Sequence, residues 1–223
     1  QWSSLRLGVA PTGAQAIALL DFDKDGYWEM FLGTDSHSLL AFKESANGGV
    51  EPLAINLPGG FSSLEIKDLR WVDYDNNGWF DLLVVSRDHG AFIFINDQAG
   101  GFSDLQEVFT DGPTIVEIFD FNGDGWSDLL GMSGFGGRFL GLKMNPGGFP
   151  GFPDEWVDVT DYVGLNQGGL DSDAATIASF SPDGALDLFF GRSSGEGRYF
   201  QAVNPLAPAT TPLLEGLTIR LKA

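Results

Sequence analysis

The 223-residue chain contains no cysteine, which excludes disulfides, thiolate metal sites and cysteine nucleophiles. It has only two histidines, His37 and His89, so a His-rich metal site is excluded as well. Lys and Arg total 12 against 31 Asp and Glu, for a net charge of −19. A chain this poor in cations has no surface for a nucleic-acid backbone, so no nucleic-acid partner is expected. It is equally unsuited to an anionic membrane surface. No apolar run approaches the roughly 18 residues of a membrane-spanning helix, so no direct membrane insertion is expected. No stretch holds a 3.6-residue apolar period across three turns, which argues against helices. The chain opens on Gln1 without a charged segment followed by an apolar one, as expected if a signal peptide has been removed or the chain begins internally.

What the chain does have is glycine, 31 residues in all, with 43% hydrophobic and 13% aromatic residues. That is the composition of a globular chain rather than a disordered one, and it suggests many short strands joined by tight turns. Four segments repeat: DFDKDGYWE from Asp21, DYDNNGWFD from Asp73, DFNGDGWSD from Asp120 and SFSPDGALD from Ser179. Their glycines, Gly26, Gly78, Gly125 and Gly184, are spaced by 52, 47 and 59 residues. Paired glycines follow in register in three repeats, at Gly48-Gly49, Gly100-Gly101 and Gly147-Gly148, and the fourth repeat has Leu206-Ala207 there.

Each repeat reads as strands. One apolar run enters the acidic segment, as in Ile115–Phe119. A second leaves it, as in Leu82–Val85, a third follows a turn, as in Ala91–Ile95, and a looser fourth follows the paired glycines, as in Leu105–Phe109. Runs of this length, rich in aromatic and β-branched residues and bounded by Gly, Asn, Asp and Ser, are strands. Four strands in about 50 residues make a propeller blade, and a single blade buries its faces only by stacking on neighbours. The expected fold is all-β: a β-propeller-like single domain over residues 1–223. Its four repeats, of about four antiparallel strands each, cover about 14–60, 64–110, 113–163 and 174–221. Two segments could complete the outer edge of the fourth blade: Trp2–Leu7, which would close a four-bladed ring, and Leu213–Leu221, which would leave an open arc for another chain to complete.

The acidic segment carries the chemistry. Positions 1, 3 and 5 are Asp or Asn, position 6 is Gly, and position 9 is Asp or Glu. Hard cations such as Ca²⁺ take six to eight oxygens, and alternate side chains of a tightly curled loop can converge on one centre. The glycine permits the positive φ of the sharp turn. Expected ligands in the first loop are Asp21, Asp23, Asp25, the Tyr27 carbonyl and Glu29. In the second they are Asp73, Asp75, Asn77, the Trp79 carbonyl and Asp81, and in the third Asp120, Asn122, Asp124, the Trp126 carbonyl and Asp128. About three Ca²⁺ sites are therefore expected. The fourth loop replaces its first two carboxylates with Ser179 and Ser181 and keeps Asp183 and Asp187, a poor site because ligand charge sets affinity. An EF-hand is excluded: it needs Glu at position 12 and helical flanks, and position 12 here is Leu32, Val84 and Gly131 between strands. The competing reading, that Asp, Asn and Gly merely make turns, leaves the charge accumulated in three copies without a counter-charge.

The pattern D-x-[DN]-x-[DN]-G-x-x-[DE] between short hydrophobic strands resembles the FG-GAP/VCBS repeat of the integrin α-subunit propeller and of many secreted bacterial proteins. The resemblance covers about residues 14–204, and Phe31-Leu-Gly33 and Phe190-Gly191 resemble the FG of the name. It implies loops that bind Ca²⁺ structurally and a propeller serving adhesion or recognition. Seven blades are usual there, against four repeats here. The ending Leu217–Ala223 is weakly similar to the C-terminal segment of ASPIC/UnbV proteins.

Other constellations carry less. Gly191-Arg-Ser-Ser-Gly195 matches a nucleophile elbow in spelling, but an elbow requires a strand, a sharp turn and a helix, and here the segment joins two strands. His37 and His89 occupy a turn position that Gly136 and Gly195 fill in the other repeats, so they read as turn residues. Trp79 and Trp126 read as packing beside the loops. The expected function is non-enzymatic: a calcium-stabilised recognition or assembly module that binds a protein partner through a propeller face. The alternative is a carbohydrate-binding or carbohydrate-active secreted propeller. Extracellular-type sites, with dissociation constants of about 10⁻⁴–10⁻³ M, place it outside the cytoplasm, extracellular or periplasmic. No N-x-[ST] sequon occurs, which favours a bacterial source.

Overall fold

The computed structural model describes residues 13–35, 39–58, 64–87, 89–110, 113–133, 140–147, 155–165, 174–180, 186–191 and 197–201. They form fifteen strands in four antiparallel sheets, each wound as a meander in chain order. The first is β1 (Ala14–Leu20), β2 (Glu29–Thr34), β3 (Leu39–Glu44) and β4 (Val50–Leu53). The second is β5 (Ile66–Val72), β6 (Asp81–Ser86), β7 (Gly90–Asn96) and β8 (Phe102–Phe109). The third is β9 (Ile115–Phe119), β10 (Asp128–Met132), β11 (Leu140–Met144) and β12 (Val157–Asp158). The fourth holds three described strands, β13 (Ala174–Ala178), β14 (Asp187–Gly191) and β15 (Arg198–Phe200). Each of the four repeated segments thus lies in its own antiparallel sheet, and strands flank each loop on both sides, as the exclusion of an EF-hand required.

The blades stack because their middle strands are apolar on both sides. Successive side chains of a strand point to opposite faces. Along β6, Leu82 and Val84 enter a core shared with blade 1, whereas Leu83 and Val85 enter one shared with blade 3. Along β10, Leu129 faces blade 2, while Leu130 and Met132 pack with Leu188 and Phe190 of blade 4. The first of these cores holds a cluster of aromatic rings. Phe31 meets Phe22 edge-on at 5.5 Å and Trp71 at 5.3 Å, and Phe22 stacks on Phe102 at 5.7 Å. Gly33 fits this interface because a Cβ there would lie 2.3 Å from Ile66 Cγ2. Blade 2 therefore approaches the backbone of β2 more closely than any side chain would allow.

Among the described residues, three buried clusters join blades 1 to 2, 2 to 3 and 3 to 4, and none joins 4 to 1. The outward side of blade 1 leaves Ile17 and Leu19 about half exposed. The segments weighed for closing the ring, 2–7 and 213–221, lie outside the described residues, as do His37, Ser181, Asp183, Gly136, Gly195 and residues 217–223.

Candidate metal centres

The loops between the first and second strands of blades 1 to 3 share one construction. Position 4 takes a positive φ at Lys24 (57°), Asn76 (54°) and Gly123 (77°), and position 6 does so at Gly26, Gly78 and Gly125. Two left-handed residues this close curl the loop, and side chains close it. One oxygen of position 1 accepts the position-6 N–H, from Gly26 to Asp21 at 3.0 Å, Gly78 to Asp73 at 3.0 Å and Gly125 to Asp120 at 2.9 Å. Position 3 accepts from the N–H of position 5 at Asp23, Asp75 and Asn122, and position 5 accepts from that of position 7 at Asp25, Asn77 and Asp124. These are Asx-type turns, in which a short side chain satisfies a nearby backbone donor. Position 9 locks the loop: Glu29, Asp81, Asp128 and Asp187 are all fully buried, and each accepts the position-2 N–H at 2.9–3.1 Å. Position 2 is the apolar anchor. Phe22 is buried in the core between blades 1 and 2, and Tyr74 and Phe121 pack into the two cores that follow.

This construction uses one oxygen of most acidic side chains on the backbone and leaves the other to face the loop centre. In loop 2, single oxygens of Asp73, Asp75 and Asp81 lie within 4.8 Å of one another, and Asp73 Oδ1 is buried without a hydrogen-bond partner. A buried acceptor without a donor costs about 1–3 kcal/mol, more when charged. The donor set, hard carboxylate oxygens with an orphaned member, fits a divalent cation such as Ca²⁺. Asn77 turns its Nδ2 to Asp75 Oδ2 at 2.8 Å, but it is neutral and supplies no counter-charge. Burial pushes the Asp81 carboxyl up to about 6, although it accepts the N–H groups of Asn96 and Tyr74; the charges of Asp75 and Asp73 push the same way. A bound cation would reverse that penalty by favouring the charged form.

Loop 1 gathers Asp21, Asp23 and Glu29 as tightly, and Asp21 Oδ1 is likewise buried without a partner. A protein cation lies among these groups. Lys43 Nζ stands 2.7 Å from Asp23 Oδ2, 2.8 Å from Asp25 Oδ2 and 2.9 Å from Glu29 Oε1. Burial alone would lower the lysine pKa, but its pairing with Asp23, Asp25 and Glu29 outweighs that and raises it. The Lys43 hydrogen bond leads in lowering Asp25, whereas burial still raises Glu29.

In loop 3 the carboxylates of Asp120, Asp124 and Asp128 do not converge to the same 4.8 Å. Glycine at position 4 lets the Gly123 N–H reach Asp120 Oδ1 at 2.8 Å, and Asp124 N reaches the same oxygen at 3.1 Å. Both Asp120 oxygens are thus engaged. Burial lifts Asp128 to about 6 despite the N–H groups of Asn145 and Phe121. In loop 4, Asp187 keeps the position-9 lock and also accepts the Tyr199 hydroxyl at 2.9 Å.

Residues outside the motif tie the loops together. Asn96 is buried and donates Nδ2 to Phe22 O of loop 1 at 3.0 Å and to Phe80 O of its own loop at 2.9 Å, while its N–H reaches Asp81 Oδ1. Asn145 repeats the device one blade on, from its Nδ2 to Tyr74 O and from its N–H to Asp128 Oδ1. Position 4 adds a second ladder. Lys24 Nζ donates to Gly78 O at 2.8 Å and sits 4.0 Å from the centre of the Trp79 ring, and Asn76 donates to Gly125 O. Neither the asparagines nor Lys43 figured in the sequence reading. Their signal was an Asn 15 or 17 residues after the closing Asp, and a lysine immediately after the third apolar run. Trp79 packs beside the loops as expected, and Trp126 lies against Gly147, where a Cβ would meet the ring at 2.5 Å. His89 is an exposed turn residue. Gly191 ends a strand that pairs antiparallel with β15, so the segment after it runs from strand to strand.

No curated protein matches the chain. Two overlapping segments, residues 21–84 and 73–131, match the FG-GAP-like repeat family, each spanning from one acidic loop past the next. The matched segments do not reach residues 217–223, so the ASPIC/UnbV likeness gains no support. With four loop-bearing antiparallel sheets and the family match across its first three loops, this chain is an FG-GAP repeat protein of propeller-like, all-β fold.

Proposed function

We propose that the protein is a calcium-stabilised, non-enzymatic recognition module acting outside the cytoplasm, and that it binds a protein partner through the face carrying the loops. FG-GAP repeats are often adhesion or recognition modules and occur in extracellular or periplasmic proteins, and no helix among the described residues is long and apolar enough to cross a membrane. The observation that carries the reading is the row of exposed aromatics beside the acidic loops. Trp28 is 55% exposed and Phe80 44%, both at position 8, and Tyr27 is also exposed. The Lys24 and Asn76 ladder holds these loops side by side. Rigid aromatics on such a surface are the residue types that anchor protein interfaces. Loop 2 is the best-formed Ca²⁺ site, and the metal would hold the rim in shape.

Carbohydrate binding is the second reading, since aromatic faces also stack on sugars. A dedicated sugar site would set its aromatics away from the metal loops, whereas here they lie on them. The test is an affinity capture of an identified extracellular protein in Ca²⁺ and in EDTA, paired with a glycan array. Saturable, calcium-dependent binding that is lost in a Trp28→Ser/Phe80→Ser double variant of unchanged melting temperature is expected. Binding to glycans alone would overturn the protein-partner reading.

A further inference from the structure

Loops 1 and 2 are alike in backbone, in their Asx-type bonds and in the orphaned oxygen of position 1, yet they differ in what stands at their centres. The difference comes from the third strand. Strand pairing sets Lys43 directly opposite Glu29. Continued by one residue, the pairings Leu82–Phe94 and Leu129–Lys143 bring Ile95 to the corresponding place beside Asp81 and Met144 to that beside Asp128. Among the described residues, only the first blade therefore presents from this place a side chain that carries a positive charge to the loop centre. Lys143, one residue from the equivalent place in blade 3, pairs with Asp158 instead.

We propose that the ammonium of Lys43 is the resident cation of blade 1: it neutralises loop 1 from within the chain, so this loop forms without metal and calcium is not bound there. The geometry is that of a filled site. Lys43 Nζ donates to Asp23 Oδ2 at 2.7 Å and forms ion pairs with Asp25 Oδ2 at 2.8 Å and Glu29 Oε1 at 2.9 Å, so one ammonium stands against carboxylates from positions 3, 5 and 9; its approach to Glu29 Oε1 supplies charge rather than a hydrogen bond. These are side chains that the motif assigns to a metal. For Ca²⁺ to enter, the ammonium must leave a partly buried pocket, and its charge then stands close to the incoming ion. Removing the ammonium leaves Asp21, Asp23, Asp25 and Glu29 together without a counter-charge, the arrangement that calls for a divalent ion. The lysine also ties β3 to the loop, a bond that blades 2 and 3 replace with the main-chain N–H groups of Asn96 and Asn145.

The inference rests on the calcium reading of the family loops but is tested separately from it. Bound Ca²⁺ per chain would be counted by equilibrium dialysis for the wild type and for Lys43→Met, which carries the residue that blade 3 has at this place. The variant is expected to bind one equivalent more than the wild type, and equal counts would overturn the proposal. The wild-type count judges the calcium reading on its own: no bound metal there would sink that reading, and a gain of one in the variant would still support the lysine. Because Lys43→Met could fail to fold without metal, hydrogen exchange of the wild type gives a second measure. Amides of residues 21–29 are expected to exchange at the same rate with and without Ca²⁺. Calcium-dependent protection there, equal to that of residues 73–81, would overturn the proposal.

Discussion

Ile17 and Leu69 occupy the same place in successive repeats, 52 residues apart and on the first strand of their blades. Ile17 is 54% exposed and Leu69 is 4% exposed. Val116, at the same place in blade 3, is fully buried. The strands do not differ enough in their own sequence to account for this. The difference is that blades 2 and 3 have a predecessor to stack on, whereas among the described residues nothing covers that side of blade 1. The loop anchors show the same asymmetry at the other end. Phe22, Tyr74 and Phe121 each pack into a core shared with the next blade, and Phe180, at the same loop position in the last blade, is 58% exposed and touches Tyr199 of its own blade. Burial in this fold belongs to the interface between repeats, as in other quasi-one-dimensional arrays.

The sharpest way to break that comparison is to truncate both members. Leu69→Ala removes a side chain packed with Phe31, Leu82 and Val84 and should cost about 3 kcal/mol, in the lower half of the range for buried leucines. Ile17→Ala should cost less than about 1 kcal/mol, because most of its surface is in water in the folded state already. Urea unfolding of the two variants measures both. Equal losses would mean that blade 1 is covered on that side in solution.

A second contrast sets the loops with closing aspartates apart from loop 1. In metal-free protein, the carboxyls of Asp81 and Asp128 titrate near 6 when folded, against about 3.9 when unfolded. Between those values the native state binds more protons than the unfolded one, so stability falls as pH rises through roughly 4 to 6. Each group contributes at most about 3 kcal/mol at about 1.4 kcal/mol per pH unit. Calcium in loop 2, where the carboxylates converge, favours the charged form of Asp81 and should cancel its share of this loss. The difference in melting temperature between Ca²⁺ and EDTA should therefore widen from pH 5 to pH 7. A difference that does not change with pH would count against metal at Asp81.

The motif was legible because its chemistry is local. Alternating acids at positions 1, 3 and 5, a glycine at 6 and a closing acid at 9 encode both the curl of the loop and its inward oxygens within nine residues. The strands were legible from short apolar runs between turn residues, and the blades from their repetition. What sequence did not reveal depends on register. That Lys43 stands opposite Glu29, or that Asn96 reaches back to Phe22 across 74 residues, follows only once the third strand of each blade is aligned with the second. Loop 3 shows a related limit. Gly123 looks like a neutral choice at position 4, but its N–H takes an oxygen of Asp120 that the spacing alone assigns to a metal.

Asn96 offers the finest test of what neighbouring blades contribute. It is buried and bridges blade 2 to the loop of blade 1 through Phe22 O, while holding Phe80 O and the Gln98 N–H of its own blade. Asn96→Ala would leave two carbonyls without their donor in a closed interface and should cost about 2 kcal/mol. For a chain of this length that is a fall of roughly 4–8 °C in melting temperature. Asn145→Ala, which loses the bond to Tyr74 O across the next interface, should cost a similar amount. Glu44 occupies the corresponding place in blade 1, is exposed, and among the described residues its side chain accepts from Trp28 of its own blade, at 3.4 Å. Glu44→Ala should thus change stability by less than about 0.5 kcal/mol. Thermal unfolding of the three variants under identical calcium would show two losses and one near-zero change if these asparagines act between blades. Three equal changes would mean that the position serves only its own loop.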